Sequence, residues 1–353
     1  MADGGKAQNS SRNQVTGKGW EVHQVLVPAL DALIIGTGLL GHLLVVFILA
    51  GRRRKSGSRT LQGTDTLLLA LSSSDVLLLL SLPFHTTAIA LGSWPFGQFL
   101  CKAVSFLGVA CNAVSAFILA ALAIARYLTV VHPTWVYRSS LRRWLQITAV
   151  TLWVPAMALA TPQFAFRTVG TFAAVHCFAF LSDVSQVVYS ISLFLFSFAL
   201  PLVVIVLMYA KLYGFLQSTR TQGRAPQVER YQKQVTQTTA LLVIVFTISW
   251  LPSYALMFSR VGQNFSSTPE FRSLAMFARL LATSSSAINP LLYAFVSQKF
   301  RRELLELGWG RCGGRFGVRC GSCEVPHWLA WCPNRSRDMV QPFTPAELNT
   351  PPP

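Results

Sequence analysis

The sequence predicts an all-α membrane protein, a bundle of seven transmembrane helices followed by a short amphipathic eighth helix. Three observations predict it. Charged residues make up only 12% of the 353-residue chain and hydrophobic ones 52%, where a soluble domain carries about 25% charged residues. The apolar residues gather in blocks near the ~20 residues that a helix needs to cross ~30 Å of hydrocarbon. Basic residues also sort by side. Of 30 Lys and Arg, eight (Lys6, Arg12, Lys18, Lys102, Arg167, Arg260, Arg272 and Arg279) fall in one set of alternate segments, and the other 22 in the opposite set. The positive-inside rule then puts the N-terminus outside and the C-terminus in the cytosol.

Residues 1–24 are polar and read as an extracellular tail, with Asn9-Ser10-Ser11 as a glycosylation acceptor. They lack the apolar core of a cleavable signal, so the first span, 25–50, is expected to act as its own insertion signal. Further spans read as 64–91, 100–131, 141–162, 184–214, 232–259 and 271–296, completing a transmembrane domain over 25–296. Asn264-Phe265-Ser266 is a second acceptor, in the last outside loop. Residues 297–309 form a basic amphipathic helix, and 310–353, rich in Gly, Cys and Pro, read as a disordered cytoplasmic tail. The net charge of +17 sits mostly in clusters such as Arg52-Arg53-Arg54-Lys55 and Arg142-Arg143. So placed, it encodes topology and attraction to anionic lipid, and argues against a nucleic-acid partner.

Cysteine use also sorts by side. Cys101, at the outer start of the third span, and Cys177, in the following outside loop, both face an oxidising compartment, so a disulfide between them is the natural reading. Cys111 lies mid-helix and reads as packing. Cys312 follows the amphipathic stretch and is the leading palmitoylation candidate. Cys320, Cys323, His327 and Cys332 are either reduced thiols or a zinc set of non-standard spacing.

An ionised group at mid-membrane costs on the order of 2.5–3.5 kcal/mol on insertion scales, so those present need a reason. Asp75 lies within the leucine-rich run 67–82. It is expected to face the bundle interior, either as a protonated, hydrogen-bonded acid or as a cation ligand completed by Ser115, Ser285, Ser286 and Asn289. Arg126 lies at the cytosolic end of the third span. Pro83, Pro155, Pro201, Pro252 and Pro290 fall inside spans, where each removes a helical hydrogen bond and marks a bend.

At these residues the chain resembles the rhodopsin-like (class A) G-protein-coupled receptors over roughly 25–312. The likeness is carried by Asp75, Trp94-Pro95-Phe96-Gly97 before Cys101, Arg126-Tyr127, Trp153, Pro201 with Tyr209, Phe246 with Ser249-Trp250-Leu251-Pro252, Asn289-Pro290 with Tyr293, and Phe300-Arg301. The resemblance implies a sodium site at Asp75, Ser115 and Asn289 favouring the inactive state, with Ser285 and Ser286 beside it. It implies a switch in which Trp250 senses ligand and Pro252 lets the sixth helix swing outward. Tyr209 and Tyr293 then meet Arg126 near the cytosolic face and open a cleft for a heterotrimeric G protein. The short basic loop 215–231 leans toward an inhibitory G protein, and the resemblance brings arrestin in as a further partner.

For the ligand, amine receptors carry an Asp where this chain has Gly108, and opsins need a lysine that 271–296 lacks. The tract Ser93 to Lys102 resembles peptide receptors. Ile248 to Pro252 and Tyr293 to Ser297 look most like the galanin, kisspeptin and allatostatin receptor group. A pocket of His85, Phe99, Lys102, Phe106, His176, Tyr254, Phe258, Arg272 and Arg279 is expected to take a neuropeptide with aromatic anchors and an acidic segment. Other readings are an orphan receptor with constitutive activity, and a transporter or channel. The second would need internal repeats or a continuous polar path, and neither is seen. No nucleophile or metal constellation gathers in the spans to suggest an enzyme, and no cofactor beyond sodium is implied.

Two positions depart from the family. His42 stands where the first span usually carries Asn, and is expected to donate one hydrogen bond toward Asp75. The acid before the arginine is replaced by Ala125, and Gln232 falls near a second acidic position. Raised ligand-independent signalling is therefore expected, and Ala125→Asp should lower it. Basal cAMP and calcium-pathway activity at matched surface expression checks this, and activity no higher with Ala125 than in the variant overturns it.

Overall fold

A computed structural model of the chain describes residues 4–55, 59–138, 141–172, 174–179, 183–220, 226–262 and 269–296, all within the larger of two compact units, Met1–Glu306. The expected amphipathic helix at 297–309, the tail 310–353, Asn264 and Cys312 lie outside them, as do the side chains of Asn9, Gln232 and Tyr293.

The first three spans are single helices, α1 (Gly4–Lys55), α2 (Arg59–Leu91) and α3 (Gly97–Val131). The apolar part of α1, Gln24–Gly51, matches the expected span. The polar residues before it continue the same helix, since extending a formed helix costs far less than starting one. A short helix, α4 (Pro133–Arg138), precedes the fourth span, which is built from α5 (Leu141–Thr151) and α6 (Trp153–Phe166) with a turn at Leu152 between them. Pro155 explains the turn, because it has no N–H to offer the carbonyl of Thr151.

The fifth span is α7 (Asp183–Phe194), a π-helical turn at Leu195–Ala199, and α8 (Leu200–Arg220). Pro201 follows at once. Its ring would crowd the carbonyl four residues back, at Ser197, and a widened turn relieves that clash. The last two spans are α9 (Pro226–Gly262), carrying Pro252, and α10 (Pro269–Val296), carrying Pro290.

Six of these spans hold runs long and apolar enough to cross a bilayer. The seventh expected span, α10, is long enough but less apolar. It carries Glu270, Arg272, Arg279 and a run of hydroxyls from Thr283 to Ser286. The polar run is tolerated because that face turns into the bundle, where Thr283, Ser285, Ser286 and Asn289 are all buried, while Glu270 and Arg272 are exposed in the first turn of the helix.

The most buried span is α3, which packs against α2, α6, α8 and α9. Its Ala113, Val114, Ile118, Leu119 and Leu122 form the middle of a core shared with Leu49, Leu67, Leu71, Ala156, Ile205 and Leu242. The large apolar side chains left exposed, such as Leu43, Phe47, Val154, Val203 and Ile248, are spread over the outward faces of the helices. In lipid such an outside is expected, because hydrocarbon gives no penalty for showing leucine.

One element was not anticipated from the helical periodicity. Between α6 and α7 the chain forms an antiparallel hairpin of β1 (Arg167–Phe172) and β2 (Ala174–Ala179), with Val169 opposite Cys177. The Cys101–Cys177 disulfide ties this hairpin to the first turns of α3.

Glycine sets how closely α1 approaches its neighbours. A Cβ on Gly38 would lie 2.6 Å from the flexible Leu79 Cδ1, whereas one on Gly41 would lie 2.7 Å from the Pro290 ring. The leucine can turn aside and the ring cannot. Gly41→Ala is therefore expected to destabilise the bundle by about 1–3 kcal/mol, and Gly38→Ala by less. Thermal melting of the two purified variants checks the order.

Candidate functional site

The middle of the bundle is organised around a carboxylate. Asp75 on α2 is 3% exposed, and α10 reaches it twice. Asn289 Nδ2 donates to Oδ2 at 2.7 Å, and Ser286 Oγ donates to Oδ1 at 3.1 Å. From α1, His42 Nε2 lies 2.9 Å from the Ser286 carbonyl oxygen and Nδ1 lies 2.8 Å from Ser72 Oγ. A nitrogen facing a carbonyl must carry the proton, so Nε2–H donates and the Ser72 hydroxyl can donate to Nδ1. The hydrogen bond that His42 was expected to give Asp75 goes to the Ser286 backbone instead, and the carboxylate stands 3.7 Å away.

Beside Asp75 lies a cavity of about 10 Å³, lined by Asn112, Ser115, Ser285, Ser286 and Asn289 and closed on one side by Phe246 and Trp250. Ser115 Oγ pairs with Ser74 Oγ at 2.9 Å, and Ser285 Oγ donates to the Ala282 carbonyl. All five residues expected for a sodium site thus border one small volume whose donors are hard oxygens, the kind that suits a hard cation. Among the described residues, His, Cys, Asp and Glu form no cluster that could hold a metal by themselves.

An aromatic column rises from this cavity. Trp250 stacks near Phe246 (6.1 Å between ring centres), Phe246 near Phe198 (6.4 Å) and Phe198 near Tyr254 (4.9 Å). The Tyr254 hydroxyl is buried and joins three helices. Asn112 Nδ2 donates to it at 3.0 Å, and it lies 2.8 Å from Ser197 Oγ. Ser197 gives its own proton to the Leu193 carbonyl, so Tyr254 donates to Ser197. The π-helical turn is what brings Ser197 and Phe198 into the bundle, where both are buried. Expected as a ligand contact, Tyr254 instead pins α3, α9 and the fifth span together, and Phe258 packs on Phe194 at 5.2 Å.

At the other end of α3, Ala125 is 1% exposed, and half-buried Arg126 follows it. Tyr127 sets its ring edge-on to His132 at 5.8 Å. Tyr209 packs against the core from α8. The backbone of Tyr293 lies in the last turns of α10, just after buried Pro290.

The disulfide end holds the larger volume, a cavity of about 520 Å³, within the range typical of small-ligand and cofactor sites. Its rim is fixed by one backbone bond and by the side-chain amide of Gln98. Trp94 N donates to the Val175 carbonyl at 2.6 Å, Val169 N donates to Gln98 Oε1 at 2.8 Å, and Gln98 Nε2 donates to the Arg167 carbonyl at 3.1 Å. Gly97, at φ +75°, makes the turn into α3 that a side chain would resist. Of the nine residues expected here, His85, His176, Arg272 and Arg279 line the cavity.

Phe99, Lys102 and Phe106 do not. They gather around Phe164 on the α3–α6 side, with the Lys102 ammonium 5.9 Å from that ring. Phe99 is 69% exposed there.

Residues missed by the sequence reading include Gln24, Trp94 and Arg167 in the lining, and Asp31 beneath it. Asp31 on α1 is 0% exposed, accepts from Thr86 Oγ1 at 2.5 Å and pairs with Arg279 through Nη2. An acid inside an apolar span was a readable signal, since such groups are rare without a partner.

Comparison with known proteins agrees with this arrangement. The family model for the 7 transmembrane receptor (rhodopsin family) matches residues 41–293. Galanin receptor type 1 of Rattus norvegicus is 31% identical over 313 residues, 86% of this chain and 85% of that protein. Galanin receptor type 2 of the same species is 28% identical over 361 residues, covering 98% and 94%. Somatostatin receptor type 4 of Rattus norvegicus is 29% identical over 293 residues, covering 82% and 74%. With a matched span from α1 to α10 and the Asp75, Trp250 and Asn289-Pro290 groups in place, the chain belongs to the rhodopsin family of seven-transmembrane, G-protein-coupled receptors.

Proposed function

We propose that this receptor binds a galanin-like neuropeptide at the disulfide end of the bundle and passes the event to a heterotrimeric G protein at the Arg126 end, with the inhibitory type preferred. The observation that carries the reading is the 520 Å³ cavity under a disulfide-pinned hairpin, in a chain 31% identical to a galanin receptor over 86% of its length. In this reading the cavity opens outside the plasma membrane and both the Arg126 end and the C-terminus face the cytosol, as the distribution of Lys and Arg supports. Arrestin would share the cytosolic face. Glycans on Asn9 and Asn264 and a palmitoyl chain on Cys312 fit the same orientation.

The mechanism is a shift between two packings of one bundle. Peptide contacts at the cavity favour one of them by their differential affinity. The aromatic column from Tyr254 to Trp250 connects that end to the Asp75 centre, and Pro252 supplies the bend about which α9 swings. The expected result is that galanin or a related neuropeptide stimulates GTPγS binding above an empty-vector control, and does so through inhibitory G proteins. Absence of any response across a panel of such peptides overturns the ligand assignment.

The oxygen set of Asp75, Ser115, Ser285, Ser286 and Asn289 suits sodium, which when bound would neutralise the carboxylate and favour the inactive packing. A cavity of about 10 Å³ is about one water-sized probe sphere, enough for a single small guest. Replacing choline by sodium is expected to raise the Tm of the purified receptor, and Asp75→Asn to abolish the difference. An equal sodium effect in the variant overturns the assignment.

A further inference from the structure

The cavity at the disulfide end is electrostatically one-sided. Arg167, Arg272 and Arg279 line it together with His85 and His176, and no Asp or Glu does so among the described residues. A buried acid lies beside the lining, paired with Arg279. Asp31 is 0% exposed and uses a single oxygen, Oδ2, for both Thr86 and Arg279, while its Oδ1 has no partner among the described residues.

Arg279 is engaged just as incompletely. Its Nη2 meets Asp31, while Nε and Nη1 are shielded from solvent and reach no acceptor among the described residues. A guanidinium carries five N–H donors in a rigid fork that matches a carboxylate two at a time. One contact to one oxygen leaves most of that capacity unmet, and unmet charged donors away from water are costly. A structural ion pair would be expected to close both forks on each other. This pair leaves most of the arginine's donors unmet at the wall of a cavity that no acid lines among the described residues, and a turn of the guanidinium would present them to a ligand.

We propose that Arg279 is the recognition point for a carboxylate of the peptide ligand, and that Asp31 is an internal counterion which shares the guanidinium with it. The inference rests on the peptide-receptor reading above and adds the chemical class that the cavity selects. Asp31 holds the arginine in place while the cavity is open and sets how strongly it draws an acid. Because Asp31 lies on α1 and Arg279 on α10, drawing the guanidinium toward a ligand also loosens a tie between those two helices.

The test uses the purified full-length receptor and a synthetic mixture of random hexapeptides, made once with free C-terminal carboxylates and once amidated. Bound peptides are recovered and sequenced by mass spectrometry. Peptides bearing Asp, Glu or a free C-terminus are expected to be enriched roughly tenfold or more over their Asn, Gln or amide counterparts, the size of one charge-assisted hydrogen bond.

Asp31→Asn keeps the shape and removes the competing charge, so the enrichment should rise. The double variant Asp31→Asn/Arg279→Gln removes both charges without stranding either, and its enrichment should vanish while peptides are still captured. No acid preference, or the same preference in the receptor and in Asp31→Asn, overturns the proposal and leaves the peptide-receptor reading standing. Recovery of no peptide above the empty-micelle background overturns both. If the double variant does not fold, the rise or its absence in Asp31→Asn decides.

Discussion

A polar group inside a bilayer has no water to fall back on, and its partners must come from the protein. The Asp75 carboxylate, held by Asn289 and Ser286, is where that requirement is felt most. The two donors reach it from α10, and His42 on α1 holds the Ser286 backbone that carries one of them. Three helices are thereby brought into one register. A leucine-only interior would pack as well against itself as against lipid, so it would not specify which helix meets which. The carboxylate does.

Around that centre the bundle is tight where it is fixed and loose where it bends. The glycines of α1 let its backbone approach α2 and α10, and α3 runs through the core with small and branched residues on nearly every side. The fifth and sixth spans are built otherwise. They meet through large rings, Phe198, Phe246, Trp250 and Tyr254, and through one hydroxyl chain from Asn112 to Ser197. Rings slide over one another at low cost, whereas interlocked backbones do not. The division between a rigid frame and a movable pair follows from residue size.

Much of this was legible in the sequence because hydrocarbon imposes coarse rules. Span lengths, the disulfide between Cys101 and Cys177, and the meeting of Asp75 with Ser286 and Asn289 follow from the cost of exposing polar groups to lipid or pairing thiols on opposite sides. Other features depend on short-range geometry that periodicity does not carry. The hairpin of β1 and β2 lies in a loop, and the π-helical turn inserts one residue without changing composition. The pocket was only half legible for a related reason. Arg272 and Arg279 share a helix face with the cavity, but whether Phe99 or Tyr254 turns toward it depends on helix rotation, which the sequence constrains weakly. Asp31 was readable as a lone acid in an apolar run, and its partner lay 248 positions away.

The widened turn at Leu195–Ala199 has a consequence for how the chain can vary. An α-helix advances about 100° per residue, so the extra residue held there sets the azimuth of everything after it. Tightening that stretch to an ordinary α-helix with every residue kept would swivel Leu200–Arg220 by about a quarter revolution. Leu212, now 1% exposed, would swing off the core, and lipid-facing valines would turn inward. The residue count between Leu193 and Pro201 and the width of the turn are thus tied together, and a residue can be lost there only if the turn closes with it.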